Sequence, residues 1–505
     1  MALLHTGNVL AFGGSGNDPE HLSNFHEAEL FEPDSIEHEV IDDDNHHHES
    51  RVSTISNEGI EGDIFCAGHV FLPDGRLFIA GGTYRYDGSF LGIAFPPFTG
   101  LEHTYVFDPT SLKWERKGNM KHGRWYPTCV MLSDGQVLVM AGLQRQFPWV
   151  FLKKLEIHSN DAGWKELHGA DHWLPLYPRL HLLPSGDIFY AGSFNTHYTF
   201  PFSVRAFPSA SLNTKSRKWK VFGNPNNVNR EEGTTVMLPL NPPDYSARVM
   251  LIGGGTPGGK DAISDVEMID FSDPSPHYKR MPSLKHPRYY AYAVLLPDQT
   301  VLVLGGKSGK KGHLHDVPDM HDDHKEHHHH DNEIPHHPDA ILEPELFDPK
   351  NKTWLPMADM IVDRLYHSNA LLLPDGRVMT AGSNPHRTVN ELRIEIFRPR
   401  YLYRGDRPGI TSFKKVINYG EVFEIKSPDA DNITSVVLIR ASVTTHCVNT
   451  EQRLVGLEFS HENPSILAAR MPSNGNVAPP GYYLLFILNK DDVPSNAPFI
   501  RVGTS

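Results

Sequence analysis

Cysteine is scarce: three residues in 505, at positions 66, 129 and 447. So few thiols exclude a small fold framed by disulfides. A basic surface is also lacking. With 61 acidic against 47 basic side chains the formal charge is −14, which argues against non-specific nucleic acid binding. No apolar run is long enough to span a membrane. The opening Met1-Ala-Leu-Leu-His-Thr-Gly-Asn-Val-Leu reads as a hairpin, without the basic n-region or cleavage site of a signal peptide, so the compartment stays open. Long helical periodicities are few. What abounds instead is glycine (41) and proline (40), which fits turns between short strands and an all-β chain.

Seven hairpins of one form recur: an apolar run, a turn, a second apolar run and a small-residue end. They end at Gly13-Gly14, Gly81-Gly82, Ala141-Gly142, Ala191-Gly192, Gly253-Gly254, Gly305-Gly306 and Ala381-Gly382. Turns such as Asp74-Gly75, Asp134-Gly135, Ser185-Gly186, Asp298-Gln299 and Asp375-Gly376 suit tight hairpins. The fifth hairpin has a longer turn, 241–246. A third strand usually follows, and a fourth carrying an aromatic: Trp114, Trp164, Trp219, Tyr278, Trp354. Four strands per unit predict a kelch-like β-propeller of seven blades over residues 1–403. A sandwich of unrelated hairpins does not explain the regular aromatic. From residue 404 the repeat stops, and alternating segments such as 421–426, 435–440 and 482–488 predict a small immunoglobulin-like sandwich over 404–505.

Two segments break the rhythm. Residues 311–339 hold ten histidines among acidic and basic residues and are read as a loop inserted in blade six. His46-His47-His48 lies in a similar acidic loop of blade one. Both read first as solvated loops, with loose metal binding as the alternative. Blade seven runs into the next domain after Phe397-Arg398-Pro399. Because propellers close by borrowing a terminal strand, its fourth strand is expected from a segment upstream of Met1, with export of the protein as the corollary.

Counting back eight residues from the Asp or Ser before each hairpin turn gives Cys66, Tyr126, Tyr177, Tyr290 and His367 in blades two, three, four, six and seven. Blade five gives Glu232. First strands of propeller blades lie nearest the axis, so these positions should converge at one mouth of the channel. Core positions favour aliphatic side chains, and a ring of Cys, Tyr and His is not that. For Tyr177 and Tyr290 an aromatic plug of the channel is an equal reading. Cys129 and Cys447 read as small buried hydrophobes. His446 and Cys447 are neighbours whose side chains strand alternation should send to opposite faces.

The chain resembles the galactose oxidase and glyoxal oxidase family of copper radical oxidases over nearly its whole length. Phe65-Cys66-Ala67-Gly68 looks like the family's cysteine motif and Arg124-Trp125-Tyr126-Pro127-Thr128 like its radical tyrosine motif. Tyr366-His367-Ser368 is similar to its paired ligands, and residues 445–453, from Thr445 to Arg453, to the loop that delivers the last histidine. The resemblance implies one copper ion held by Tyr126, Tyr366, His367 and His446, with Tyr126 joined to Cys66 through a thioether that carries the radical. Two imidazoles and phenolate oxygen form the N,O set that suits Cu(II). It further implies Tyr366 as axial ligand and general base, and oxidation of a small aldehyde or primary alcohol, or a carbohydrate, by dioxygen to give hydrogen peroxide. Cys66, Tyr126 and Tyr366 are then the catalytic residues, and a monomer is expected.

One departure stands out. Eighteen residues past Tyr126, where galactose oxidase has a tryptophan stacked on the radical, this chain has Gln144. Trp125 and Trp149 are the alternatives, and galactose is not carried over as substrate. Trp125, Tyr177, Arg179, Glu232 and Tyr290 are candidates for the substrate pocket by position. Competing readings are a catalytically silent propeller that binds a glycan or a protein, and a metal-handling protein that uses its histidine loops. A filled five-residue set favours the oxidase.

Overall fold

The computed structural model describes every residue except 14–26, 34–39, 42–51, 86–88, 91–92, 95–98, 146–150, 195–206, 226–229, 256–260, 310–335, 385–390 and 504–505. His46 to His48, Trp149 and most of the histidine-rich insertion therefore lie outside the described residues.

Seven four-stranded antiparallel sheets follow one another as blades, and the first strands touch between blades two and three, three and four, five and six, and six and seven. Those first strands include Asp63–Phe71 in blade two, Thr128–Met131 in blade three, Leu180–Leu182 in blade four, Thr234–Met237 in blade five, Tyr292–Leu295 in blade six and Asn369–Leu372 in blade seven. The inner hairpins form because both strands are apolar on both faces, as in Val137–Met140 and Val301–Leu304, where every residue is buried. Four of the hairpin turns are locked by an aspartate acceptor. Asp74, Asp134, Asp298 and Asp375 accept the backbone N–H two residues on. The following residue takes positive φ: Gly75 at 88°, Gly135 at 83° and Gly376 at 82°. In blade six Gln299 accepts the same conformation at φ 67° without glycine.

The fourth-strand aromatics staple each blade to the one before it. Trp164 Nε1 donates to Thr104 Oγ1 at 3.0 Å, Trp219 Nε1 to the carbonyl of Ala170 at 2.9 Å and Trp354 Nε1 to that of Pro282 at 2.8 Å. Tyr278 Oη donates to the carbonyl of Ala191 at 2.7 Å.

A second device repeats along the inner ring. A buried arginine before the first strand meets a glutamate on the third: Arg124 with Glu156 at 2.7 Å, Arg230 with Glu267 at 2.5 Å, Arg288 with Glu345 at 2.8 Å. The same arginines donate to the carbonyls of Ala141, Leu251 and Gly305 at the hairpin ends. In blade seven Arg364 donates to Gly382, and Glu395 accepts the amide of Ile361.

Blade seven closes differently from the expectation. Its fourth strand is Val40–Ile41, which pairs antiparallel with Ile394–Phe397. This strand comes from the connection between the third strand of blade one, Glu27–Phe31, and its fourth, Val52–Ser56. Blades one and seven are neighbours in the ring, so a long connection in one reaches the open edge of the other. Arg377 donates to the carbonyl of Pro33 across the same seam. The blade therefore needs no strand from upstream of Met1, which corrects that expectation and removes the ground for inferring export.

After a short turn at Arg400–Tyr403 the chain builds a four-stranded and a five-stranded sheet, with strands Val422–Lys426, Ile433–Arg440 and Gly481–Asn489 where alternation placed them. Their facing sides form one core with blade five, including Leu240, Val249, Ile425, Leu438 and Leu485. Among the described residues no helix is long and apolar enough to cross a membrane.

Candidate metal centre

The positions found by counting back eight share one backbone state. Cys66, Tyr126, Tyr177, Glu232, Tyr290 and His367 all have positive φ, from 42° to 67°. For non-glycine residues this left-handed region costs of order 1–3 kcal/mol each, and such strain clusters at functional sites. Its cause here is local. Each residue ends the approach to a first strand and turns its side chain inward. Backbone bonds tie successive members: Tyr126 N donates to Cys66 O at 3.0 Å, Tyr177 N to Tyr126 O at 2.9 Å and Tyr290 N to Glu232 O at 3.2 Å.

His446 arrives from the second domain on a hairpin that follows the strand Ile433–Arg440. The segment touches all seven blades. Leu3 N donates to Ser442 O in blade one, Glu451 accepts the amide of Phe71 in blade two, and Thr450 donates to Cys129 O in blade three. Arg453 donates to Leu182 O in blade four, and Leu240 N of blade five to Leu454 O. Gln452 pairs with Ala293 and Leu295 in blade six, and Thr444 donates to Asn369 in blade seven. Arg440 and Glu451, both buried, pair at 3.0 Å and hold the base of the segment.

At its tip, His446 and Cys447 have φ 47° and 60° and form a tight turn closed between Thr445 and Val448. Their side chains do diverge, but through this turn and not through strand alternation. His446 faces His367 and Tyr126, while Cys447 joins the buried cluster that holds Tyr290 and Tyr292 and its amide donates to Tyr292 Oη at 2.7 Å.

Within the ring the four expected ligands come together. The hydroxyls of Tyr126 and Tyr366 are 2.6 Å apart. The rings of His367 and His446 stand 4.6 Å apart and nearly perpendicular at 83°. Tyr366 lies 3.8 Å from His367 and 5.7 Å from His446, and Tyr126 is 4.8 Å from His446. Cys66 Sγ is 3.9 Å from His446 Nε2 and shares a buried cluster with Trp125, Tyr126 and Tyr177.

Trp125 stacks on Tyr126 with centroids 3.7 Å apart and planes at 10°. Tyr177 stacks on it too, at 4.4 Å and 29°. Two rings this close have room only on opposite faces of the third, so Tyr126 is enclosed. Gln144 has no part in this stack. Tyr290 lies 5.0 Å from Tyr366. Glu232 is fully buried, and its charge is the largest influence after burial that raises the Tyr366 phenol. Arg179 is 2% exposed, with its guanidinium on the carbonyls of Tyr177, Gly233 and His446.

Burial pushes the phenols of Tyr126 and Tyr366 well above their ordinary range, and does the same to the Cys66 thiol. Burial pulls His367 down to about 4, against the opposing bond to Asn384. All are therefore neutral near pH 7 unless a cation joins them. His367 shows what such a cation would meet. Its Nδ1 is paired with Asn384 Oδ1, which fixes the proton on that nitrogen. Its Nε2 is buried with no hydrogen-bond partner. An orphaned imidazole lone pair, a second imidazole and two phenol oxygens form the N,O donor set that suits copper(II). Among the described residues no three His, Cys, Asp or Glu side chains gather as a metal group, because half of this donor set is phenolic.

Sequence reading missed the supporting residues. Asn384 orients His367, Thr445 Oγ1 lies 2.6 Å from His446 Nδ1, and Phe65 packs edge-on against His367 at 5.1 Å. Asn384 had a usable signal, since the residues just past each hairpin glycine lie opposite the ring: Leu143 pairs with Trp125, Lys307 with Tyr289 and Asn384 with Tyr366.

The family model described as galactose oxidase-like, early set domain, matches residues 407–502. An aldehyde oxidase GLOX of Vitis pseudoreticulata is 28% identical over 491 residues, covering 87% of this chain and 82% of its own. A WSC domain-containing protein of Arthroderma benhamiae is 29% identical over 482 residues, and a galactose oxidase of Gibberella zeae 27% over 479. These two cover 88% and 87% of this chain, but the chain spans only 46% and 61% of their lengths. In fold, the chain matches a fungal alcohol oxidase of the AA5 family in complex with copper, with a TM-score of 0.77, 22% identity, and coverage of 100% of this chain and 96% of that one. Relatives along almost the whole chain and the early set match make this chain similar to the galactose oxidase and glyoxal oxidase family, and the structural match shows that it shares the AA5 enzyme's fold.

Proposed function

We propose that this protein is an oxidase of small primary alcohols or aldehydes that uses dioxygen and releases hydrogen peroxide. The observation that carries this reading is the buried meeting of Tyr126, Tyr366, His367 and His446, in which His367 keeps a partnerless Nε2. Those four residues would hold one copper ion, in a propeller of residues 1–403 capped by a domain of residues 404–505. Copper bound there supplies a one-electron redox centre and a Lewis acid.

The chain's own groups do the rest. With copper bound, Tyr366 would be a phenolate, and its oxygen, the atom that shares a hydrogen bond with Tyr126, would take the hydroxyl proton of the substrate. Tyr126, as a radical spread onto the Cys66 sulfur, takes a hydrogen atom from the neighbouring carbon. Trp125 and Tyr177 exclude water from both faces of that ring. Tyr177, Glu232 and Tyr290 line the approach together with Trp125, while Arg179 lies deeper in the ring. The alcohol loses two electrons and two protons, and dioxygen receives both as peroxide. The relatives named for aldehyde and galactose oxidation support this class of reaction.

The Cys66–Tyr126 thioether is the decisive test. Its formation joins sulfur to ring carbon, and the two hydrogens lost reduce one dioxygen to peroxide. After copper and oxygen exposure the protein should be lighter by the mass of a hydrogen molecule, with a peptide pair that reduction cannot separate. Cys66→Ser should keep copper and lose most turnover. Tyr126→Phe should lose the radical and weaken copper binding. A free Cys66 thiol in a copper-loaded, active sample would overturn the mechanism.

A further inference from the structure

Arg179, like Arg364, has no ion pair among the described residues, but Arg364 stays within blade seven on Thr380, Gly382 and Arg393 while Arg179 reaches other elements. Arg124, Arg230 and Arg288 each face a glutamate on the third strand of their own blade. Arg179 is as deeply buried, and among the described residues no carboxylate lies within ion-pair distance of it. A buried guanidinium without a paired carboxylate is costly unless its donors are otherwise met. They are met by backbone. Nη1 donates to the carbonyl of Tyr177 at 2.8 Å, Nε to that of Gly233 at 3.1 Å and Nη2 to that of His446 at 3.5 Å. These three carbonyls belong to blade four, blade five and the hairpin of the second domain.

The place of this fork matters. Blades two, three and four are tied through the direct bonds from Tyr126 to Cys66 and from Tyr177 to Tyr126, and blades five and six through Tyr290 and Glu232. At the junction of blades four and five the Arg179 side chain spans from Tyr177 to Gly233, and it reaches the His446 carbonyl from the same point. Both His446 and Cys447 hold left-handed backbone, so the tip of the hairpin is a strained conformation that surrounding contacts must impose. On the Cys447 side Tyr292 supplies one such contact. On the His446 side it is Arg179.

We propose that Arg179 is a positioning residue that fixes the His446 imidazole in the ring by clamping the His446 carbonyl to blades four and five. This rests on His446 being a copper ligand. The planar fork is required, because lysine brings the charge but cannot meet three carbonyls in one plane. Losing a group that orients a metal ligand typically weakens binding by about 10–100-fold.

The test uses the full chain and copper(II) alone. In metal-free protein, Arg179→Gln should raise hydrogen exchange in the peptide spanning 444–448, while Arg288→Gln, which breaks an ion pair within blade six, should leave that peptide protected. Arg179→Gln should weaken copper(II) by about tenfold or more in competition with a chelator. Its electron paramagnetic resonance spectrum should lose the coupling of one nitrogen, as in His446→Ala. Should Arg179→Gln not fold, Arg179→Lys carries the same expectations. Unchanged exchange at 444–448, or copper affinity and nitrogen coupling equal to those of the unaltered protein, would overturn the clamp. Copper binding left intact in His446→Ala would instead overturn the ligand assignment beneath it.

Discussion

Tyr126 is enclosed by its own chain neighbour. Adjacent residues rarely stack face to face in a strand, where side chains alternate sides. Here Tyr126 sits at φ 60°, and this left-handed step brings the Trp125 ring over it at 3.7 Å. The shield for the oxidised ring is thus built from the same strained turn that aims the phenol. An aromatic contact of this kind is worth about 0.5–1.5 kcal/mol beyond its buried area. Trp125→Leu should therefore bind copper as before, but its radical should decay several-fold faster and turnover should fall. The decay of the radical absorption band after mild oxidation measures this, with copper content as control. A radical of unchanged lifetime would shift the shielding role to Tyr177 alone. The sequence named Trp125 but could not choose it, because the choice depends on the sign of one backbone angle. The members of the ring were legible, since a fixed count from a turn survives folding. Arg179 was not readable in its observed contacts, because it bridges segments far apart in the chain, whereas Asn384 and Thr445 act close to the histidines they contact.

At the scale of the element, the arginine–glutamate pairs show what hydrophobic patterning hides. Glu345 accepts from buried Arg288 at 2.8 Å and, nearer the surface, from the amide of Lys285 at 2.7 Å. The strand Glu345–Asp348 reads as two apolar residues between two acidic ones, so the Glu345 carboxylate passes for a surface group. Removing one partner of a buried pair strands the other. Glu345→Ala should destabilise the fold by about 3–5 kcal/mol, read as a lowered denaturant midpoint with unchanged slope. A loss below 1 kcal/mol by this estimate would mean that water relieves Arg288.

The histidine-rich insertion behaves as the opposite kind of element. It leaves blade six between Val301–Leu304 and Glu345–Asp348, and its two ends are joined where Ser308 N donates to Asp339 O at 2.8 Å. Closure at the base means that the length beyond it adds little cost. The base itself is not free to go. His336 Nδ1 lies 2.7 Å from the Asp363 carboxylate, which also accepts the amide of His337, just ahead of Arg364 and Tyr366. Replacing 311–335 with a short Gly-Ser link should leave folding, copper at the centre and activity intact. Extending the replacement through 339 should lower thermal stability by leaving Asp363 without these partners. Activity lost in the shorter replacement at full copper loading would show that the histidines serve the reaction.

For the whole molecule, acid is the natural probe, because the interfaces that join the two domains bury imidazoles. His181 lies on the first strand of blade four, 4% exposed, with Nε2 2.9 Å from Thr235 Oγ1 of blade five. Burial, and then the Arg453 guanidinium from the second domain, hold its pKa down to about 3. His158 in blade three is held at about 4 by burial and then by Lys117. An imidazole in the unfolded chain titrates near ~6.5. Between that value and the folded ones the unfolded state binds more protons, so stability rises with pH across this window and is lost as pH falls through it. The slope can reach about 1.4 kcal/mol per pH unit for one fully buried imidazole. Metal-free protein should thus keep a level melting temperature above about pH 7 and lose stability steadily from about pH 6.5 down to 4. His181→Gln, which retains a donor for Thr235, should flatten part of that slope. Arg453 would then lie beside a neutral side chain at every pH. A melting temperature that ignores pH in this window, or a slope that His181→Gln leaves untouched, would show that the junction between the propeller and its second domain opens to water before the molecule unfolds.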